Sequence, residues 1–154
     1  MSFLTHTQLK LIFEISHAGD SSMGMTFGDS DTFENFEQDR FEYETTIQFP
    51  TSLVIETFGK SHDDTVMGHD GNIISDKYIK LLDIQLNGLS CDSYYINDGI
   101  WIKANDGRVA NSNYWGMNGK VTLDFLEENS FYWLLNSFNQ ANKNNKPILD
   151  ISDK

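Results

Sequence analysis

The densest chemistry lies in Gly59–Asp76, GKSHDDTVMGHDGNIISD, where Asp63, Asp64, Asp70 and Asp76 share one segment of a chain with few clustered cations. Carboxylates crowded in this way repel one another unless they are solvated, spread apart or gathered around a cation. With Asn72 they offer the hard oxygen ligands that Ca²⁺ prefers, which makes Asp63, Asp64, Asp70 and Asp76 the candidate metal set. A second acidic piece, Asp29-Ser30-Asp31 with Glu34 and Asn35, joins them if both loops lie at the same end of the fold. The spacing is not that of an EF-hand, which alternates Asp and Asn and closes on Glu. His62 and His69, each followed by Asp, would suit a transition metal. The plainer alternative is a solvated acidic loop in which Asp70-Gly71 forms an ordinary turn.

Other catalytic patterns are thin. No G-x-S-x-G elbow is present, and Ser90-Cys91-Asp92 has no identifiable activating base. Cys91 reads as a small, partly buried hydrophobe. Glu42 and Glu44 form a carboxylate pair, but two residues apart on a strand they share its outer face, where solvation explains them. Glycine-rich phosphate loops are missing. The chain therefore reads as a non-enzyme. Tyr94, Tyr95, Trp101, Tyr114 and Trp115 crowd the turn-rich second half, where amphipathic rings suit sugar stacking or a protein interface. The competing reading has these rings covering the core.

The elements that must position these groups are mostly strands. Leu9, Leu11, Phe13 and Ile15 alternate with polar residues, as do Met23, Met25 and Phe27, then Phe41, Tyr43, Thr45 and Ile47. Leu53, Ile55 and Thr57 continue the pattern after a break at Pro50. Ile79–Leu86 is a more continuous apolar run, expected of a strand covered on both sides, and it ends on the turn dipeptide Asn87-Gly88. Tyr94–Lys103 is expected to fold as a hairpin about Asp98-Gly99, and Val121, Leu123 and Phe125 point inward from a later strand. One helix is expected, capped by Ser130, with Phe131, Leu134, Leu135 and Phe138 on its inner stripe. The sum is a mainly β protein: an antiparallel β-sandwich of jelly-roll type with one short C-terminal helix. Residues 1–138 form the domain, helix included, and 139–154 a polar tail.

Composition agrees with a folded globule. The chain has 154 residues, is 39% hydrophobic and 13% aromatic, and so can bury a sizeable core. With 23 acidic against 11 basic residues the net charge is −12, a field that disfavours nucleic acid and anionic membranes. It permits divalent cations, basic protein surfaces and neutral sugars. Cys91 is the lone cysteine, so no intrachain disulfide or thiolate zinc cluster can form. The segment MSFLTHTQLKLIFEIS lacks the features of a signal peptide, and no apolar run reaches membrane-span length, so production in a cytoplasm is expected.

Two resemblances add to this reading. Asp76-Lys77-Tyr78-Ile79-Lys80-Leu81-Leu82-Asp83-Ile84-Gln85-Leu86-Asn87-Gly88, following an acidic loop, resembles the closing part of calcium-dependent xylan-binding modules. Those are jelly-roll sandwiches whose loop carboxylates hold a Ca²⁺ that contacts sugar hydroxyls. With the preceding strands the likeness covers about a third of the chain. Over most of its length the chain is similar to small particle-associated proteins of tailed, marine-type bacteriophages. That likeness runs through Asp64-Thr65-Val66, Gly71-Asn72-Ile73-Ile74, Asp76-Lys77, the strand ending in Asn87-Gly88, and Asn113–Lys120 leading into Val121–Phe125. It implies a non-enzymatic structural protein of a virion, a capsid decoration or tail accessory, made in the host cytoplasm. Its partners would be other virion proteins or repeated copies of itself, not nucleic acid or membrane. The alternative is a Ca²⁺-dependent carbohydrate-binding module that attaches to host or environmental polysaccharide.

Overall fold

A computed structural model describes residues 6–18, 21–28, 31–61, 66–67, 69–71, 73–91, 95–96 and 99–144. The strands run β1 (His6–Ile15), β2 (His17–Ala18), β3 (Ser21–Ser22), β4 (Gly24–Phe27), β5 (Asp31–Phe33), β6 (Arg40–Gln48), β7 (Thr51–Phe58) and β8 (Val66–Met67). They continue with β9 (Ile73–Ser75), β10 (Ile79–Leu86), β11 (Leu89–Ser90), β12 (Trp101–Ala104), β13 (Val109–Asn111), β14 (Tyr114–Trp115) and β15 (Gly119–Phe125). A helix, α1 (Ser130–Asn144), follows.

Two antiparallel sheets make the sandwich. One has the order β11-β10-β1-β6, with β14 added on β10; the other runs β13-β12-β15-β7-β4-β5. Ribbons β2-β3 and β8-β9 stand outside them. The period-2 pattern puts Leu9, Leu11, Phe13 and Ile15 inside from β1, and Val121, Leu123 and Phe125 from β15. Phe27 of β4 lies flat on Tyr43 of β6 at 3.9 Å, and Phe13 meets the edge of Trp115 at 5.8 Å. Each ring withdrawn from water in this way contributes about 2–3 kcal/mol, so the interlayer aromatics carry much of the stability. Pro50 ends β6 before β7 crosses to the other sheet, as its place between two alternating runs implies.

Several expectations are corrected. β10 is buried on one face only: Ile79, Leu81, Ile84 and Leu86 are inside, whereas Leu82 is 40% exposed. The apolar run arises because Ile12 pairs with Asp83 and Phe13 with Leu81, leaving Leu82 as the extra residue of a bulge. The hairpin expected over residues 94–103 about Asp98-Gly99 falls partly outside the described residues, which lack 94, 97 and 98. Residues 95–96 belong to a helical turn, closed by the Gly99 N–H donating to the Tyr95 carbonyl at 3.1 Å. A hairpin lies further on, between β12 and β13, where Gly107 takes φ 96°.

Helix α1 is rotated from its expected face. Trp133 and Ser137 point inward, Leu134 is partly covered, and Phe131, Leu135 and Phe138 are exposed. Trp133 decides the rotation. Its ring packs on Phe125 and Tyr95 while its Nε1–H donates to the Asp124 carbonyl at 2.6 Å, so the largest side chain buries both its area and its polar atom. The cap is Asn129, whose Oδ1 accepts the Tyr132 N–H; Ser130 is instead the buried first residue of the helix. The helix continues through Asn144, so the first part of the expected tail is helical, and residues 145–154 lie outside those described. Among the described residues no helix is long and apolar enough to cross a membrane.

Candidate functional site

The acidic segment leaves the end of β7 and returns as the ribbon β8-β9. Its tip carries His69 and Asp70, both exposed, with Gly71 at φ 84° closing the turn. Asp76 lies at the base, beyond three residues and thus roughly 10 Å of strand. Its carboxylate receives the Lys60 ammonium at 2.6 Å, the Lys77 N–H at 2.9 Å and the Tyr114 hydroxyl. Only 10% of the Asp76 side chain and 15% of the Lys60 side chain remain exposed. A cation already serves Asp76, therefore, and it is an ammonium. Asp63, Asp64, His62 and Asn72 lie outside the described residues. Among the described residues no three His, Cys, Asp or Glu side chains converge as a metal-holding group.

Of the second acidic piece, Asp29 and Ser30 lie outside the described residues, and Asp31 does not join this segment. Asp31 pairs with Phe27, which stands opposite Ile55, whereas Gly59 follows Phe58 at the far end of β4. Asp31 instead accepts the Tyr43 hydroxyl at 2.8 Å. Burial, reinforced by that carboxylate, raises the Tyr43 phenol pKa. Glu42 and Glu44 lie on the outer face of β6, paired with Lys10 at 3.1 and 3.6 Å. Cys91 is half-buried against the core, as expected.

The five aromatic candidates part company. Trp115 is fully buried and belongs to the core, its Nε1–H satisfied by the Ser112 carbonyl at 2.9 Å. Tyr95 packs on Trp133 and its oxygen accepts the Asp124 N–H; burial pushes its pKa up to about 12. Both rings pack against the core, which a turn-rich region needs large side chains to close. Tyr94 lies outside the described residues. Trp101 and Tyr114 are exposed, at 57% and 39%.

Tyr114 leads to a feature that sequence reasoning missed. A cleft of about 650 Å³ opens at the end of the six-stranded sheet, between Lys60-Ser61, the β12–β13 turn and residues 116–118. Asn118 shapes it by copying a strand partner: its Oδ1 accepts the Lys60 N–H and its Nδ2 donates to the Lys60 carbonyl, both at 2.9 Å. The Asn105 N–H donates to the Asn118 carbonyl, also at 2.9 Å. In the turn, Asp106 folds back onto Arg108, with Nε donating to Oδ2 at 2.8 Å. Hydrogen bonding from the Arg108 N–H, then its guanidinium, holds the Asp106 carboxyl below the usual carboxylate range.

Lys60 and Gly116, which line the cleft, stand beside the Lys60–Asp76–Tyr114 cluster. A Cβ on Gly116 would approach the Tyr114 ring to 3.0 Å and Lys60 Nζ to 3.4 Å, so glycine is what lets the chain pass beside it. The Tyr114 ring stacks on Tyr78 at 4.4 Å, and the Tyr78 hydroxyl donates to Glu14 at 2.7 Å. Burial, then the Asp76 carboxylate, raises the Tyr114 phenol far above its ordinary value; the hydrogen bond to Glu14 raises Tyr78. The site thus presents amides, a hydroxyl, a guanidinium and neutralised carboxylates around an open space, with an aromatic ring at its edge. Among the described residues no histidine or cysteine lines it. The signals were present as Asn-Gly and Asp-Gly turns at 118–119 and 106–107, but their convergence depends on strand pairing.

No family model matches the chain, and no curated protein does. Among solved structures it is similar to vCBM60 in complex with galactobiose, at 12% identity and TM-score 0.45, over 76% of this chain and 97% of that one. It is also similar to a selenomethionine form of vCBM60 described with two families of calcium-dependent carbohydrate-binding modules. There the identity is 12% and the TM-score 0.44, over 77% of this chain and 90% of the other. Neither the fold nor the comparisons point to a phage particle.

Proposed function

We propose that the chain is a non-enzymatic carbohydrate-binding β-sandwich whose ligand lies in the cleft at the end of the six-stranded sheet. The observation that carries this reading is the lining: Lys60, Ser61, Asn105, Asp106, Arg108 and Asn118 around one open space beside the exposed ring of Tyr114. A sugar offers vicinal hydroxyls that both donate and accept, and an apolar face formed by its ring C–H groups. Amide and charged side chains meet the first need, and a partly exposed tyrosine the second. Part of the lining is set before ligand arrives, because Asn118 holds the Lys60 backbone through both its amide atoms. The sequence resemblance of Asp76–Gly88 to xylan-binding modules agrees with this reading. Display on a virion would be compatible with it.

Ca²⁺ at Asp76 would have to displace the Lys60 ammonium, which already neutralises that carboxylate at 2.6 Å. Binding through the cleft is therefore expected to survive chelator.

The test is affinity electrophoresis of the intact chain through gels containing galactan, xylan, dextran, polygalacturonate or dextran sulfate. At least one polysaccharide should retard it, and Arg108→Ala and Asn105→Ala should each weaken that retention tenfold or more. Free migration through the whole panel, or retention indifferent to both substitutions, would overturn the assignment.

A further inference from the structure

The acidic character of the chain is not uniform, and its exception borders the cleft. Lys103 of β12 and Lys120 of β15 are direct cross-strand partners on the outer face of the six-stranded sheet, and both are exposed. Among the described residues neither ammonium has an ion-pair partner within 4 Å, although acidic residues outnumber basic ones by 23 to 11. Glu56 stands opposite Lys120 on β7, yet no ion pair joins them. Like charges placed directly opposite on a sheet destabilise it. The other cations here are neutralised: Lys60 by Asp76 and Arg108 by Asp106.

The pair is continuous with the cleft. Ala104 and Gly119, next along the two strands, face one another at its rim, and a Cβ on Gly119 would strike the Lys103 carbonyl at 2.3 Å. The two strands therefore approach closely there. In the other direction Trp101 shares the outer face with Lys103 and is 57% exposed, about 7 Å further along the strand.

We infer that this lane, from the cleft over Lys103 and Lys120 to Trp101, binds a polysaccharide carrying acidic groups, an inference that rests on the glycan reading above. Two adjacent ammonium groups bracket one carboxylate or sulfate, and Trp101 supplies a platform for the ring of the next sugar. The anion also relieves the repulsion between the lysines. The overall charge of −12 opposes approach at long range, but it is screened within about 8 Å at physiological salt, whereas the contact with the lysines is direct.

The experiment compares matched polymers, dextran with dextran sulfate and galactan with polygalacturonate, for the natural chain, Lys103→Gln/Lys120→Gln and Lys103→Arg/Lys120→Arg. The natural chain should prefer an acidic member at least tenfold. The Gln pair should lose that preference while keeping its affinity for neutral polymers, and the Arg pair should keep it. Preference for polygalacturonate alone assigns the anion as carboxylate; preference for dextran sulfate alone assigns it as sulfate ester. Equal or better binding of the neutral members overturns the inference and leaves the glycan reading standing, and so does acidic binding that the Gln pair does not weaken. Retention by none of the four overturns the inference; only if xylan also fails to retard the chain does the glycan reading fall with it. Unaltered melting of the Gln pair would show that lost binding is not lost folding.

Discussion

Asp76 shows how one carboxylate can be assigned to a metal from its neighbours in sequence and to an ammonium from its neighbours in space. Lys60 stands sixteen positions earlier and Tyr114 thirty-eight later, and both reach it because the acidic ribbon returns to its own base. Removing one member of so covered a pair strands the other. Lys60→Met is therefore expected to cost about 3 kcal/mol, and Asp76→Asn a similar amount, read as the shift in urea midpoint at unchanged slope. The phenols give a pH signature. Tyr114, Tyr78, Tyr95 and Tyr43 all have raised pKa values, so the folded state resists their ionisation more than the unfolded chain does. Their contribution is full below the ordinary phenol value near ~10 and is lost as pH climbs through the raised values. Tyrosinate absorbance should lag behind that of free tyrosine in an alkaline titration, and Tyr114→Phe should remove one late-titrating group. Titration of all six tyrosines together near the free value would refute this.

At the scale of elements, the helix and the β12–β15 pair make opposite predictions. Trp133 is the residue through which α1 is held to the sandwich. Trp133→Ala should cost about 3–5 kcal/mol and lower Tm by roughly 10 °C, whereas Phe138→Ala, on the exposed side, should stay within about 0.5 kcal/mol. The reverse order would mean that the helix sits on its Phe131–Phe138 stripe after all. For the strand pair, Lys103→Gln removes a like-charge opposition and should raise stability by a few tenths of a kcal/mol without ligand. Loss of stability in that variant would show that the lysine is held by a partner in the free protein.

For the molecule as a whole, the −12 charge acts as a spread repulsion that the two stacked sheets must overcome. Added NaCl screens it, so Tm should rise steadily between about 10 mM and 500 mM salt, since the Debye length contracts from about 30 Å to under 8 Å over that range. Retention on an acidic polysaccharide should fall over the same range, because there salt competes with the contact itself. The two slopes of opposite sign separate global charge from the local lysine pair.

Alternation of apolar and polar side chains was enough to determine the layers. Leu9 to Ile15, Met23 to Phe27 and Val121 to Phe125 can bury their greasy sides only against a second sheet, and a period of two has no helical solution. The turn at Asn87-Gly88 was equally legible, since positive φ is a local property. Only the tertiary structure decided which rings were core and which were surface: Trp115 and Trp101 are alike in type and setting, yet one is fully buried and the other 57% exposed. It also decided that Trp133 rather than Phe131 turns inward, that Leu82 bulges, and that Lys60, Asp76, Arg108 and Asn118 meet around one cleft. Those outcomes depend on contacts between residues far apart in the chain, and a local pattern records which side of a strand is apolar but not what arrives to cover it.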